Sequence, residues 1–366
     1  MAIGIYLHIP FCLSKCPYCD FYSLPLPEDA VLDRYVDRLV QEMEPFRGHP
    51  ADTLYFGGGT PSLLGGARLT RLIDRAAAFF GLSGAEITLE ANPGDALDET
   101  LRLFHAAGGN RLSIGLQSGS AAMLHTLGRR HSPEDFLRCV QSARNAGLDN
   151  LSADWMLALP GEGERPADGT LALLRQADVS HVSAYLLKIE PGTPFARAKL
   201  PLPDEDATCA QYLSAVEQLT TAGWQQYEIS NFARPGRESR HNLKYWNAEE
   251  YLGFGPAAHS FFAGRRSAYP RDLAGFLAGP TRAELPDDPA LPNGSAEEYA
   301  MLRLRLTAGL TEQDFVARFG RPIPPTWRQR AQHIPAALLQ ADEAGLRLTP
   351  RGFLLSNEIL RRLLDL

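Results

Sequence analysis

The strongest constraint on the fold of this chain is a regular alternation, from its first residues onward, of short β-branched or aromatic runs with longer amphipathic ones. The strand-like runs are GIYLHI (4–9), TLYFGG (53–58), EITLEAN (86–92), RLSIGLQS (111–118), LSADWMLALP (151–160), HVSAYLLKIE (181–190) and a weaker QQYEISNF (225–232). Between them, VLDRYVDRLVQEMEPF sets Leu32, Tyr35, Val36, Leu39, Val40 and Met43 on one helical face. PEDFLRCVQSARNAG has an acidic first turn and closes on Gly147. Strands joined through helices imply a parallel sheet, because a parallel pair needs a long crossover.

A doubly wound open sheet and a β/α barrel both fit this alternation. The polar residues favour the barrel. Gly57 to Gly59, Glu90, Asn92, Gln117 and Asp154 fall in the C-terminal halves of successive strands, the rim where β/α barrels carry their chemistry. The expected fold is α/β, a partial six-unit barrel over residues 1–232 that is open on one side to a large substrate or partner. The pattern dissolves over 262–297, where PTRAELPDDPALPNGS reads as a linker within a connecting segment, 233–297. Residues 298–366 read as a small accessory domain of helices and a hairpin.

Charge and cysteine usage narrow the function classes. Lys and Arg number 36 against 43 Asp and Glu, a formal net charge of -7, so nucleic acid is not an expected partner. No apolar run reaches the ~18–20 residues of a membrane span, and MAIGIYLHIP lacks the features of a signal peptide. The expectation is a cytoplasmic protein that is not an integral membrane protein. Three of the five cysteines lie within eight residues, which suits metal or thiol chemistry better than a disulfide framework. Cys139 and Cys209 fall in helix-like segments and read as small buried hydrophobes.

Cys12, Cys16 and Cys19 have C-x3-C-x2-C spacing, which lets one tight loop direct three thiolates at one metal centre. A 4Fe-4S cube ordinarily takes four thiolates, so three leave one iron with open positions. An amino-acid carboxylate and amine can chelate such an iron and set a sulfonium beside a reducible cluster. One-electron transfer then breaks a C–S bond and releases a carbon radical. The alternative is a structural zinc of Cys3His type with His8 as fourth ligand, although His8 reads equally as a packed rim residue.

The run Y-L-H-I-P-F-C-L-S-K-C-P-Y-C-D-F resembles the cluster loop of radical SAM enzymes, in the branch of the anaerobic coproporphyrinogen dehydrogenases and the HemW-type heme chaperones. The resemblance continues through FGGGTP (56–61), LEANP (89–93), SIGLQS (113–118), LGRRH (127–131) and SADWMLALPG (152–161). It implies S-adenosylmethionine contacts at Tyr6, Tyr18, Gly58, Gly59, Thr60, Glu90, Gln117, Arg129 and Asp154, and an external electron donor for the cluster. Each residue also has a reading of its own. The glycine run admits a ligand's amino group to backbone carbonyls, or is an ordinary turn. Glu90 accepts from a ribose diol, or is a solvated strand-end carboxylate. Gln117, Arg129 and Asp154 supply an amide, a guanidinium for a carboxylate, and a carboxylate for hydroxyls.

Two features bear on the branch. Where the dehydrogenases carry a further cysteine after the third ligand, this chain has Phe21, and Tyr6 lies too near the start for their N-terminal extension. His241-Asn242-Leu243-Lys244-Tyr245-Trp246 matches the H-N-x-x-Y-W motif of the chaperone branch, implying heme with His241 as axial ligand and Tyr245 and Trp246 flanking the porphyrin. From residues alone, His241 is equally a turn cap and the two aromatics ordinary core; His259 is a further axial candidate that reads as structural. The leading expectation is a heme chaperone passing heme to cytoplasmic or membrane-associated acceptors. The competing one is an oxygen-independent coproporphyrinogen III dehydrogenase that converts propionates to vinyl groups.

Overall fold

A computed structural model describes residues 2–94, 96–163, 169–279, 281–289 and 291–365. The chain starts with β1 (Ile3–Ile9), then a two-residue pair, β2 (Phe11–Cys12) and β3 (Leu24–Pro25), that ties off the cysteine loop. Five further strands follow, β4 (Ala51–Gly58), β5 (Glu86–Ala91), β6 (Arg111–Gln117), β7 (Asn150–Leu157) and β8 (His181–Leu186). With β1 they form six consecutive parallel strands in the order β1-β4-β5-β6-β7-β8. The crossovers carry α1 (Asp29–Met43), α2 (Gly66–Phe80), α3 (Asp98–Ala106), the short α4 (Ala121–Thr126), α5 (Pro133–Asn145) and α6 (Thr170–Ala177).

Strand alternation explains the layering. Leu54, Phe56, Leu89, Leu112, Ile114 and Val182 are fully buried in the core beneath the helices, and each such side chain contributes roughly 1.5–3 kcal/mol. The intervening positions, Thr53 and Tyr55, Thr88 and Glu90, Arg111 and Ser113, Ser152 and Asp154, form a polar inner face. The helices begin and end where the sequence implies. Ser132 and Asp135 make a reciprocal capping box at the start of α5, and Gly147, at φ +93°, follows its end. In α1, Leu32, Tyr35, Val36, Leu39 and Met43 are buried and Val40 partly so.

The sheet does not close. After α7 (Pro194–Arg197) and α8 (Glu205–Thr221), the run at 225–232 forms no seventh parallel strand. It folds into a hairpin of β9 (Gln225–Gln226) and β10 (Asn231–Ala233), with β10 antiparallel to β8. Its turn places Glu228 in the interior, where Ser230 N–H donates to the carboxylate. On the far edge, after α9 (Arg240–Trp246), β11 (Tyr251–Phe254) pairs parallel with β1. β12 (His259–Phe262), β13 (Arg265–Ala268) and, past α10 (Leu273–Ala278), β14 (Ala283–Glu284) continue the sheet antiparallel to twelve strands. This corrects the reading of 262–297 as a dissolved pattern, although Pro280 and Ala290 lie outside the described residues. These strands are too short to show periodicity of their own and exist through pairing.

The C-terminal region holds α11 (Ala296–Arg303), a three-stranded sheet of β15 (Leu310–Thr311), β16 (Leu339–Asp342) and β17 (Gly345–Leu348), and helices α12 (Glu312–Phe319), α13 (Pro325–Ala331), α14 (Pro350–Leu354) and α15 (Ser356–Leu364). Arg303, nearly buried, ties it down by donating to Asn247 Oδ1, Asp314 Oδ2 (2.9 Å) and Gly309 O (3.2 Å). Arg303→Met strands those acceptors and is expected to lower stability by about 1–3 kcal/mol, read as a shift in the urea midpoint at unchanged m.

Candidate functional site: the strand-end rim and the cysteine loop

The register of β1 with β4 pairs His8 with Gly57 and Ile9 with Gly58. The ladder then runs past the strand ends, as Gly59 N–H donates to Ile9 O and Thr60 N–H to Phe11 O, both at 2.8 Å. The cysteine loop is thereby fastened to the glycine run. Each glycine is demanded by that contact: a Cβ on Gly57 would lie 2.8 Å from the Tyr6 ring, on Gly58 2.7 Å from the His8 ring, and on Gly59 2.7 Å from Phe11 O and 3.0 Å from Cys12 Sγ. The side of each glycine where a Cβ would stand faces protein.

The three thiols are unpaired, half-buried and on one loop. Thr60 Oγ1 donates to Cys12 Sγ (3.6 Å) and Arg129 Nη1 to Cys16 Sγ (3.7 Å). Burial pushes the Cys12 and Cys19 thiols up, so a metal entering here must displace protons. His8 does not complete a zinc site. Its Nε2 donates to Tyr22 O at 2.9 Å, which fixes the tautomer, and Nδ1 faces the Tyr6 hydroxyl at 3.2 Å. Burial holds this imidazole neutral, with a pKa lowered to about 4. Among the described residues, no three His, Cys, Asp or Glu side chains sit close enough to hold a single ion. Three free thiols on one loop, with both other cysteines on α5 and α8, fit an iron-sulfur cube lacking a fourth thiolate.

The remaining rim residues converge on the same end of the sheet. Glu90 accepts from Tyr55 Oη (2.8 Å) and Gly58 N–H (3.1 Å), and burial pushes its pKa up to about 7. Asp154, on the same inner face, is raised to about 6 for the same reason. Gln117 ends β6 in the left-handed region at φ +70° and accepts from Tyr185 Oη at 2.9 Å; strained backbone of this kind persists only where neighbours over-determine it. Arg129 donates to Gly115 O (2.7 Å) and Asn92 Oδ1 (2.5 Å), while Asn92 Nδ2 donates to Thr60 Oγ1 (2.8 Å). Tyr18 interacts electrostatically with Arg129 and Cys16 and packs toward Phe195 at 6.2 Å. A cleft lined by Leu13, Cys16, Thr60, Asn92, Gly128 and Arg129 opens between loop and rim. Tyr6 stands lower, stacked on Tyr55 at 6.1 Å.

Asn92, read in the sequence as a rim residue, belongs to this network, and so do Tyr55, Arg111 and Tyr185, which were missed. Their signal was available: polar or hydroxylated residues at alternate positions of strands whose other positions are aliphatic.

The H-N-x-x-Y-W segment lies elsewhere. It forms α9 beneath the inner face, and Glu86 accepts from the backbone N–H groups of Arg240 and His241, both at 3.1 Å. His241 is 1% exposed, with Nδ1 2.8 Å from Thr53 Oγ1 and Nε2 2.8 Å from Tyr245 Oη. Its ring stacks on Tyr55 at 5.1 Å, and Tyr245 meets Tyr251 edge-on at 4.6 Å. Trp246 is partly buried at the end of the helix. Both ring nitrogens of His241 thus have protein partners, Thr53 Oγ1 and Tyr245 Oη.

The Radical SAM superfamily pattern matches residues 6–174, and that of the HemN C-terminal domain residues 292–355. The heme chaperone HemW of Escherichia coli K12 is 38% identical over 328 residues, covering 87% of this chain and 86% of that protein. The heme chaperone HemW of Mycobacterium tuberculosis H37Rv is 37% identical over 376 residues, covering 99% and 94%. The chain belongs to the HemW family of radical SAM proteins. Its fold is also that of the solved coproporphyrinogen III oxidase HemN from Escherichia coli, with a TM-score of 0.82 at 21% identity over 99% of this chain and 90% of that one. Membership of the superfamily implies a 4Fe-4S cluster and S-adenosylmethionine. Among the described residues, no helix is long and apolar enough to cross a membrane.

Two tests follow for this family member. Gly59→Ala drives a methyl group toward Cys12 Sγ, so anaerobic reconstitution is expected to yield less iron and sulfide per chain while far-UV circular dichroism stays unchanged. Glu90 binds its proton more tightly folded than unfolded, about 7 against 4.5, so its contribution is full below pH 4.5 and lost as pH rises through 7. In the cofactor-free protein Glu90→Gln is expected to gain on wild type, on the order of 1–2 kcal/mol, between pH 4 and pH 8, measured by denaturant midpoints.

Proposed function

We propose that this chain binds heme and passes it to acceptor proteins, with a cluster and S-adenosylmethionine in the rim. The observation that carries the reading is identity of 33–38% over 87–99% of the chain with proteins named as heme chaperones. Phe21, in place of a further cysteine, agrees with it. Cys12, Cys16 and Cys19 would hold the cluster, which supplies one-electron reduction of a sulfonium when present. Arg129 would take the S-adenosylmethionine carboxylate and Glu90, with Asp154, its hydroxyls; Tyr18, Gly58, Gly59, Thr60 and Gln117 would line the pocket, and Tyr6 would brace it from below. The chain would act in the cytoplasm, receive electrons from an external donor and deliver heme to soluble or membrane-associated acceptors. We further propose that 1–232 is the core and 298–366 an accessory domain, with 233–297 joining them and extending the core sheet through β11 to β14.

Likeness to the coproporphyrinogen oxidase, at 21% identity, is a likeness of fold and carries no reaction over to this chain. The test uses full-length protein reconstituted anaerobically. Heme is expected to bind at about one per chain, and coproporphyrinogen III with S-adenosylmethionine and reductant to remain unconverted. Formation of protoporphyrinogen, or failure to take up heme, would overturn the proposal.

A further inference from the structure

The ends of the cysteine loop and its middle are held in different ways. The ends are fastened to the β1–β4 seam and, through Tyr22 O, to His8. The turn between them, Cys16-Pro17-Tyr18-Cys19, closes on itself as Cys19 N–H donates to Cys16 O at 3.1 Å. Among the described residues, one backbone hydrogen bond reaches residues 13–19 from outside the loop: Phe195 N–H donates to Pro17 O at 3.0 Å. Pro17 also lies against Gly128, where a Cβ would stand 2.8 Å from its Cδ.

Phe195 belongs to a strap, residues 187–201, that follows β8 on the side where the sheet fails to close. Leu187 N–H on Leu157 O (2.8 Å) fixes its start, and Gly161 N–H on Pro201 O (2.7 Å) its end. Between these points most of the strap is exposed, and only Thr193 and Phe195 are buried. Thr193 caps α7 by accepting from Ala196 N–H at 3.3 Å, with Pro194 at the first helical position. The Phe195 ring joins Leu127, Met156 and Leu159 in a small apolar core separate from the main one, and Tyr18 and Tyr185 pack against it. Strap, cysteine loop and rim thus meet around one ring. A core this small has few contacts to spare, so removing that ring loosens it while the rest of the fold stands.

We propose that the strap clamps the Cys16–Cys19 turn, with Phe195 as the positioning residue that sets the turn against the S-adenosylmethionine contacts of the rim. The proposal rests on the cluster reading above and goes further by naming what orients the turn. Arg129, which would take the S-adenosylmethionine carboxylate, also donates to Cys16 Sγ at 3.7 Å, so a turn that shifts disturbs thiolate and guanidinium together. Sites of this kind tolerate displacements of only about 0.5 Å. Coupling is reciprocal: a cluster and ligand that need the turn in place also hold the strap down.

The test compares full-length wild type, Phe195→Ala and Phe195→Leu after anaerobic reconstitution. Phe195→Ala is expected to keep its iron and sulfide, to bind S-adenosylmethionine about tenfold more weakly, and to lose most of the change that this ligand causes in the electron paramagnetic resonance of the reduced cluster. Phe195→Leu, which still fills the small core, is expected to restore both. Trypsin gives the reciprocal readout on wild type alone. Arg197 and Lys199 are exposed on the strap, and cleavage after them is expected to slow by about tenfold once cluster and S-adenosylmethionine are bound. If Phe195→Ala keeps wild-type affinity and spectral change, or if cleavage is equally fast in loaded and cluster-free wild type, the clamp is wrong while the cluster reading stands. If the wild-type signal ignores S-adenosylmethionine, both readings fail. Should Phe195→Ala lose its far-UV circular dichroism, the trypsin comparison decides.

Discussion

The whole site hangs on the seam between β1 and β4. These strands pair in parallel, and their ladder continues past the strand ends into Gly59 and Thr60, which bond to the backbone on either side of Pro10. Because Gly57, Gly58 and Gly59 lack side chains, the rings of Tyr6 and His8 and the Cys12 thiol can press against this seam. His8 Nε2, bonded to Tyr22 O, then pins the far end of the loop. These bonds and contacts set Cys12 against the sheet and anchor both ends of the loop that carries Cys16 and Cys19. Preorganisation of this kind matters because a metal binding free thiols must otherwise order the loop as well as deprotonate it.

The second requirement is a polar inner face that is nonetheless buried. Barrel interiors are usually filled with branched aliphatic side chains. Here Tyr55, Glu90, Arg111, Asp154 and Tyr185 occupy that space, and each carboxylate is burdened by desolvation. Glu90 is held by Tyr55 and Gly58, and Tyr55 is backed by the His241 ring. The H-N-x-x-Y-W helix therefore supports the rim from beneath. Its histidine stacks on Tyr55, which in turn holds Glu90. The Glu86 carboxylate on its first N–H groups locks the helix to the sheet.

The six parallel strands, the buried face of α1 and the cap of α5 were legible in sequence, because each is set by local periodicity and capping chemistry. The rim was legible too, since Glu90, Gln117 and Asp154 stand near the ends of strands that the pattern delimits. What was not legible depends on pairing across long separations. β11 to β14 are strands of two to four residues that exist because β11 finds β1. His241 showed up as a motif, but its burial is decided by Thr53, 188 residues away, and by Glu86, 155 residues away. Arg111 and Tyr55 carry the alternation signal, but a charged or hydroxylated residue within a strand reads as solvent-facing until the inner face of a curved sheet is known.

The rim lies on β1 through β8, and β11 to β14 continue the same sheet beyond β1. The central claim is that the loop fastened to the β1–β4 seam holds a cluster with one iron left for an external chelator. Electron paramagnetic resonance of the reduced, reconstituted protein, with and without S-adenosylmethionine, tests it most directly. The account predicts a cluster signal that changes when S-adenosylmethionine is added and disappears in Cys16→Ser. A signal indifferent to S-adenosylmethionine, or a protein that retains zinc in place of iron, would contradict it.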